Sequence, residues 1–163
     1  ETAACLFLDI MRRQQMADRV AANIIIGGCV TPDQFAALTE LIAAEDLRVE
    51  WDGDPFDANS IEPDQPLRLY AYEVPWGSFE ALEQYCCDQQ IAFGRWSGSC
   101  PGSFGAERIV YDGKTGPLNY SVDEDDRLVL HTRTIGQLGS MRTIRRYIDE
   151  AEIEIPAFAV QAN

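Results

Sequence analysis

The chain is poor in the residues that most catalytic and metal sites need. It has a single histidine, His131, and no Cys-x-x-Cys pair. The common structural zinc sites draw four Cys or His ligands from short spacings, and no such set is written here. The cysteines are odd in number: Cys5, Cys29, Cys86, Cys87 and Cys100. Two of them are adjacent on an expected helix, which does not suit a disulfide framework. Reduced thiols in a cytoplasmic protein are the expectation. Long apolar runs are missing too, since a membrane-spanning helix needs roughly 20 apolar residues in a row. The short run AACLFLDI lacks a basic lead-in and is followed by Arg12 and Arg13, so it reads poorly as a signal peptide.

Positive charge is scarce. Thirteen Lys and Arg face 27 Asp and Glu over 163 residues, for a net charge of −14 and a pI of about 4.3. The summed field repels nucleic-acid backbones and anionic membranes at long range, and attracts basic partners. The acidity is concentrated. Residues 30–90 hold fourteen acids against Arg48 and Arg68, a net of −12, whereas residues 91–148 carry a net of +2. Asp33, Glu40, Glu45, Asp46, Asp52, Asp54 and Asp57 make the expected acidic face.

What is present is a stretch written twice. Residues 23–53 and 67–98 align at an offset of 44, setting Val30 on Val74, Phe35 on Phe79, Leu38 on Leu82, Leu41 on Tyr85 and Leu47 on Ile91. After one inserted residue, Trp51 meets Trp96 and Gly53 meets Gly98. Each copy has an apolar run, a run of helical period, a short apolar run and a Trp-x-Gly stop. Three consecutive isoleucines favour a buried strand. Thr31, Pro32 and Gln34 write a helix start, and Ser78 is expected to cap the second helix. Leu47, Val49 and Trp51 alternate as a strand. The acidic, proline-rich segment 52–66 reads as a linker.

The order β-α-β-β-α-β is that of the ferredoxin-like split unit. The expected fold is therefore α+β: a ferredoxin-like core built by internal duplication, extended by a β-meander and a C-terminal helix. Strands are expected at 105–112, 118–122 and 127–134, with an acidic hairpin tip at Asp123–Asp126. Ser140 should cap a helix carrying Met141, Ile144, Tyr147 and Ile148 on one face and Arg142, Arg145 and Arg146 on the other. Residues 153–160 read as extended. Residues 1–22 are set apart as an N-terminal helix or extension, and 23–163 as one domain.

Chemistry has one local candidate, the Gly/Ser-rich loop 95–107. Glycines let backbone approach a ligand, and successive amides can cradle an anion. Arg95, Trp96, Ser97, Gly98, Ser99 and Gly102, with Trp76 nearby, would form such a site. Its glycine spacing fits neither the dinucleotide nor the P-loop pattern, and a connecting loop is the plainer reading. In the catalytic version Cys100 is the nucleophile, His131 the base and Glu107 its orienting acid. The linker DGDPFD fails as a calcium loop, because position 6 is Asp57 and position 12 is Pro63. No metal and no cofactor is expected. The leading expectation is a non-catalytic binding or inhibitor protein that presents carboxylates to a protein partner. A basic nucleic-acid enzyme, its groove filled by a DNA mimic, would be such a partner. Pairing of two copies through a bare sheet face or edge is the third expectation.

Overall fold

The computed structural model describes residues 17–162. Most of the expected N-terminal helix lies outside that range. Its last residues do not: β1 runs Arg19–Val30, so the first strand starts four residues earlier than 23. Val20 and Ala22 are buried, which ties this start to the core.

The elements that follow β1 are α1 (Pro32–Ala44), a 3₁₀ turn (Ala58–Ser60), β2 (Leu67–Pro75), α2 (Glu80–Asp88) and β3 (Ala92–Ser97). Then come β4 (Glu107–Tyr111), β5 (Leu118–Ser121), α3 (Thr132–Leu138), α4 (Met141–Ala151) and β6 (Phe158–Val160). The fold is mixed α+β. Five strands pair antiparallel in the order β2-β1-β3-β4-β5, and β6 runs parallel to the end of β1 at Gly28–Val30.

Local chemistry explains the boundaries. Thr31 accepts from the Gln34 amide at 3.2 Å while the Gln34 side chain accepts from the Thr31 amide at 2.9 Å, the reciprocal cap expected for α1. The α2 start differs from expectation. Phe79, not Ser78, is the cap residue, and no side chain caps the first turn in the usual way. Instead the Glu83 carboxylate reaches back and accepts from the Phe79 amide at 2.9 Å. At α4 the Ser140 hydroxyl accepts from the Thr143 amide, as expected.

Two expected strands are reduced or replaced. Leu47–Trp51 makes only one antiparallel bridge to β2, Arg48 to Tyr70, and then folds back on Pro55. The turn closed by Gly53 N–H on Glu50 carbonyl takes the chain away from the sheet. Residues 127–134 are not a strand either. Leu128 bridges Val122, and from Thr132 the chain is helical with His131 as cap residue.

α1 and α2 cover one face of the sheet. Ile24 and Ile26 of β1, Leu67 and Leu69 of β2, Phe93 of β3, Leu38 and Ile42 of α1 and Leu82 and Cys86 of α2 form the main core. Burying one such aliphatic side chain contributes about 1.5–3 kcal/mol. The repeat matches this core in its helices, where Leu38 and Leu82 are both fully buried. It fails in the strand bodies, because buried Ile24 and Ile26 correspond to exposed Arg68 and half-buried Tyr70. The β1–β2 register shifts between Val20 and Ala22, and only past that irregularity do Val30 and Val74 come into phase as buried residues.

The opposite face is covered in two patches. Trp96, Ala106 and Val122 form one; Val110, Tyr120 and Ala151 form the other. α4 leans on the second through Tyr147, whose ring lies 5.0 Å from that of Tyr120, edge to face. The chain then crosses β1 at Gly27. A Cβ there would lie 2.0 Å from the Pro156 carbonyl oxygen, so only glycine permits the crossing.

Candidate functional site

Alternation along β3 decides what the Gly/Ser segment can offer. Phe93, Arg95 and Ser97 share the face covered by α2, and Gly94 and Trp96 take the other. Arg95 is therefore not at the loop mouth. It is 3% exposed, beneath α2. Its Nη1 donates to the Gly77 carbonyl at 2.7 Å and to the Ser97 hydroxyl at 2.9 Å. Its Nη2 donates to Glu107 at 2.7 Å. Its Nε lies 2.8 Å from Glu83 Oε1, but the N–H is not aimed at that oxygen, so this contact is an ion pair without a proper hydrogen bond. Glu107 in turn accepts from Asn119 at 2.6 Å. Burial raises the Glu83 carboxyl above its ordinary range, Arg95 and the Phe79 amide pull it back, and Glu107 adds to the rise. The expectation that Arg95 would hold an anion at the loop is corrected: its donors are spent inside the fold.

The loop itself is also occupied. The Ser99 amide donates to Glu124 Oε1 at 3.1 Å, and the Ser99 hydroxyl donates to the same oxygen. Beyond it, Cys100 and Phe104 exchange backbone bonds in a tight turn with Gly102 at φ +83°. Gly98 donates to the Ala21 carbonyl. Trp96 is buried and donates its indole N–H to the Asp123 carbonyl at 3.2 Å. Trp76 is 52% exposed, with its ring 6.3 Å from that of Phe104. The anion that the loop amides meet is thus a carboxylate of the acidic tip. That tip is organised by Asp123, whose carboxyl is held low by the Arg127 amide and side chain.

The catalytic set is not assembled. Glu107 is engaged by Arg95 and Asn119, and His131 heads α3 on the surface. Among the described residues, His131 has no hydrogen bond or ion pair with Cys100 or Glu107. Cys100 is half-buried in its turn, whereas Cys29 is exposed. Burial, with smaller contributions from Cys87 and Glu83, pushes the Cys86 thiol up to about 12.

The acidic residues behave differently. Of the fourteen acids in 30–90, all but Glu45 and Glu83 are exposed. The carboxylates of Asp33, Glu40 and Asp54 have no hydrogen bond or ion pair among the described residues. Asp57 caps the 3₁₀ turn through the Asn59 amide at 2.6 Å, and Asp52 accepts from the Tyr72 hydroxyl at 3.3 Å. Asp46 sits 3.8 Å from Arg48, both side chains open to water, a contact of little energetic weight. Glu45 closes α1 half-buried, its carboxyl raised by burial and then by Glu83. The two Trp-x-Gly turns do meet. Trp51 stands edge-on to Trp96 at 6.3 Å and against Tyr70 and Tyr72 at 5.0 and 5.1 Å. Those two tyrosines went unread in the sequence, although their alternation in LRLYAYE places them on one face.

No protein-family model matches the chain, and no curated protein or solved structure resembles it significantly. No group of three or more metal-binding side chains occurs among the described residues, and no helix there is long and apolar enough to cross a membrane.

Proposed function

We propose that this chain is an acidic, non-catalytic binding protein whose α1–β2 side docks on a basic surface of another protein. The basic groove of a nucleic-acid-binding protein, filled in place of DNA, is the sharpest form of this reading. One observation carries it: residues 33–88 expose twelve carboxylates and contain only two cations, Arg48 and Arg68. Arg48 is partly engaged, donating to the Gly53 carbonyl at 3.0 Å beside Asp46. Carboxylates on one side would meet cationic side chains as phosphates do, with the same release of counterions and the same salt dependence. Exposed Tyr72 and half-buried Trp51 and Tyr70 beside Asp52 add the aromatic content common at binding hot spots.

The frame under that face is, in this reading, a ferredoxin-like unit descended from a duplication. β2 and β3 both flank β1 antiparallel, the bridge at Arg48 stands where the remaining strand of such a unit would pair with β2, and both helices share one core. The test is capture of partners from host lysate at low salt. A basic nucleic-acid-binding protein, released by moderate salt or competing duplex DNA, is the expected result. The same capture by a variant with Glu40, Asp46, Asp54 and Asp57 changed to Lys would overturn the assignment of the face.

A further inference from the structure

The sheet face opposite α1 and α2 carries a cavity of about 290 Å³, between β1, β3 and β4 and the segment that follows α4. That size is near the low end of small-molecule pockets, about 300–1,000 Å³. Its floor is Ile25, Gly94 and Val110, and its roof is Ile153 and Ile155. Gly94 keeps the floor low: a Cβ there would make ordinary contact with Ile155 at 3.6 Å, and a larger side chain would fill the space. The half-buried Asn23 carboxamide lines the same space and has no hydrogen-bond partner among the described residues.

The rim decides the charge of the occupant. Arg108 is spent: its Nε donates to Asp126 at 2.8 Å, its Nη2 to the Asp126 carbonyl and its Nη1 to the Ala151 carbonyl at 3.0 Å. Arg95 also borders the cavity, but its guanidinium is held on the other face of the sheet by Glu83 and Glu107, so Asp126 and Glu152 face only Arg108 and the Glu152 carboxylate is left without a cation. Glu152 is also the cap residue at the C-terminus of α4, where carbonyl dipoles favour a cation. We propose that this cavity binds a small amphipathic amine, its apolar body against Ile25, Val110 and Ile153 beside the narrow end where Ile155 closes on Gly94, a polar atom on Asn23 and its ammonium at Glu152. The site is separate from the acidic face and stands or falls independently of it.

The test is a ¹H–¹⁵N NMR titration of the full chain with phenethylamine, 2-phenylethanol and phenylacetate. The amine should shift Asn23, Gly94 and Ile153 saturably, the alcohol should do so more weakly, and the acid should not. Glu152→Gln is at the surface and keeps the fold. It should weaken the amine about two- to fivefold, the range for a partly exposed ion pair, and leave the alcohol unchanged. Gly94→Val should abolish both while the α1 resonances stay in place. Silence of these amides with all three probes, equal binding of amine and acid, or an amine affinity untouched by Glu152→Gln would each overturn the proposal.

Discussion

Replacing Arg95 by Met tests the reading of this residue as a structural rather than a ligand-binding cation. The change leaves Glu83, whose side chain is 14% exposed, without its ion-pair partner. It also leaves the Ser97 hydroxyl and Gly77 carbonyl without their donor and removes one of the bonds on Glu107. Removing one member of a buried pair costs about 3–5 kcal/mol. Set against a total stability of about 5–15 kcal/mol, the loss is readily seen as a lower urea midpoint by circular dichroism. The sign with pH follows from Glu83. Its folded carboxyl is raised above its unfolded value, so the native state holds the proton more tightly and stability falls as pH rises through that window. Arg95 opposes the rise; without it the carboxyl climbs further. The penalty of Arg95→Met should therefore be largest at neutral pH and shrink as the pH is lowered toward the ordinary carboxylate range. Adding Glu83→Gln should recover part of it at neutral pH, since the stranded charge is gone. A loss below about 1 kcal/mol, in the range of an exposed pair, or a loss independent of pH would refute the account.

Gly27→Ala should destabilise by about 1–3 kcal/mol, because its Cβ meets the Pro156 carbonyl oxygen and the Ile155 side chain. Hydrogen exchange should show the loss first at Phe158–Val160, the strand that this crossing delivers to β1. In thiol labelling at neutral pH, Cys29 should react in the folded protein, whereas Cys86 should stay silent until denaturant is added.

Much of the architecture was legible because the repeat carried two kinds of period. Thr31-Pro32-x-Gln34 and the Phe35, Leu38, Ile42 stripe fix α1 almost to the residue. The strand pattern was harder. Residues 128–134 alternate as LVLHTRT, yet only Leu128 and Val129 bond to the edge beside β5, and the segment closes as a helix after His131. Arg95 was misplaced because AFGRWS is buried on both faces, so alternation gave no contrast. Counting from Phe93 would have put Arg95 in the core. Its partner Glu83 lies one residue past buried Leu82, and nothing in a single helix marks such a residue as facing an arginine from another strand. The exposure of most acids in 30–90, by contrast, followed directly from composition, because carboxylates without partners stay in water.

The most direct test of the central claim is the salt dependence of binding to the captured partner, compared between the native chain and the four-lysine variant. The account predicts a steep fall in log K with log salt for the native chain and a much weaker, flatter binding for the variant. Equal affinities and equal slopes would contradict it, and would place the contact somewhere other than the acidic face.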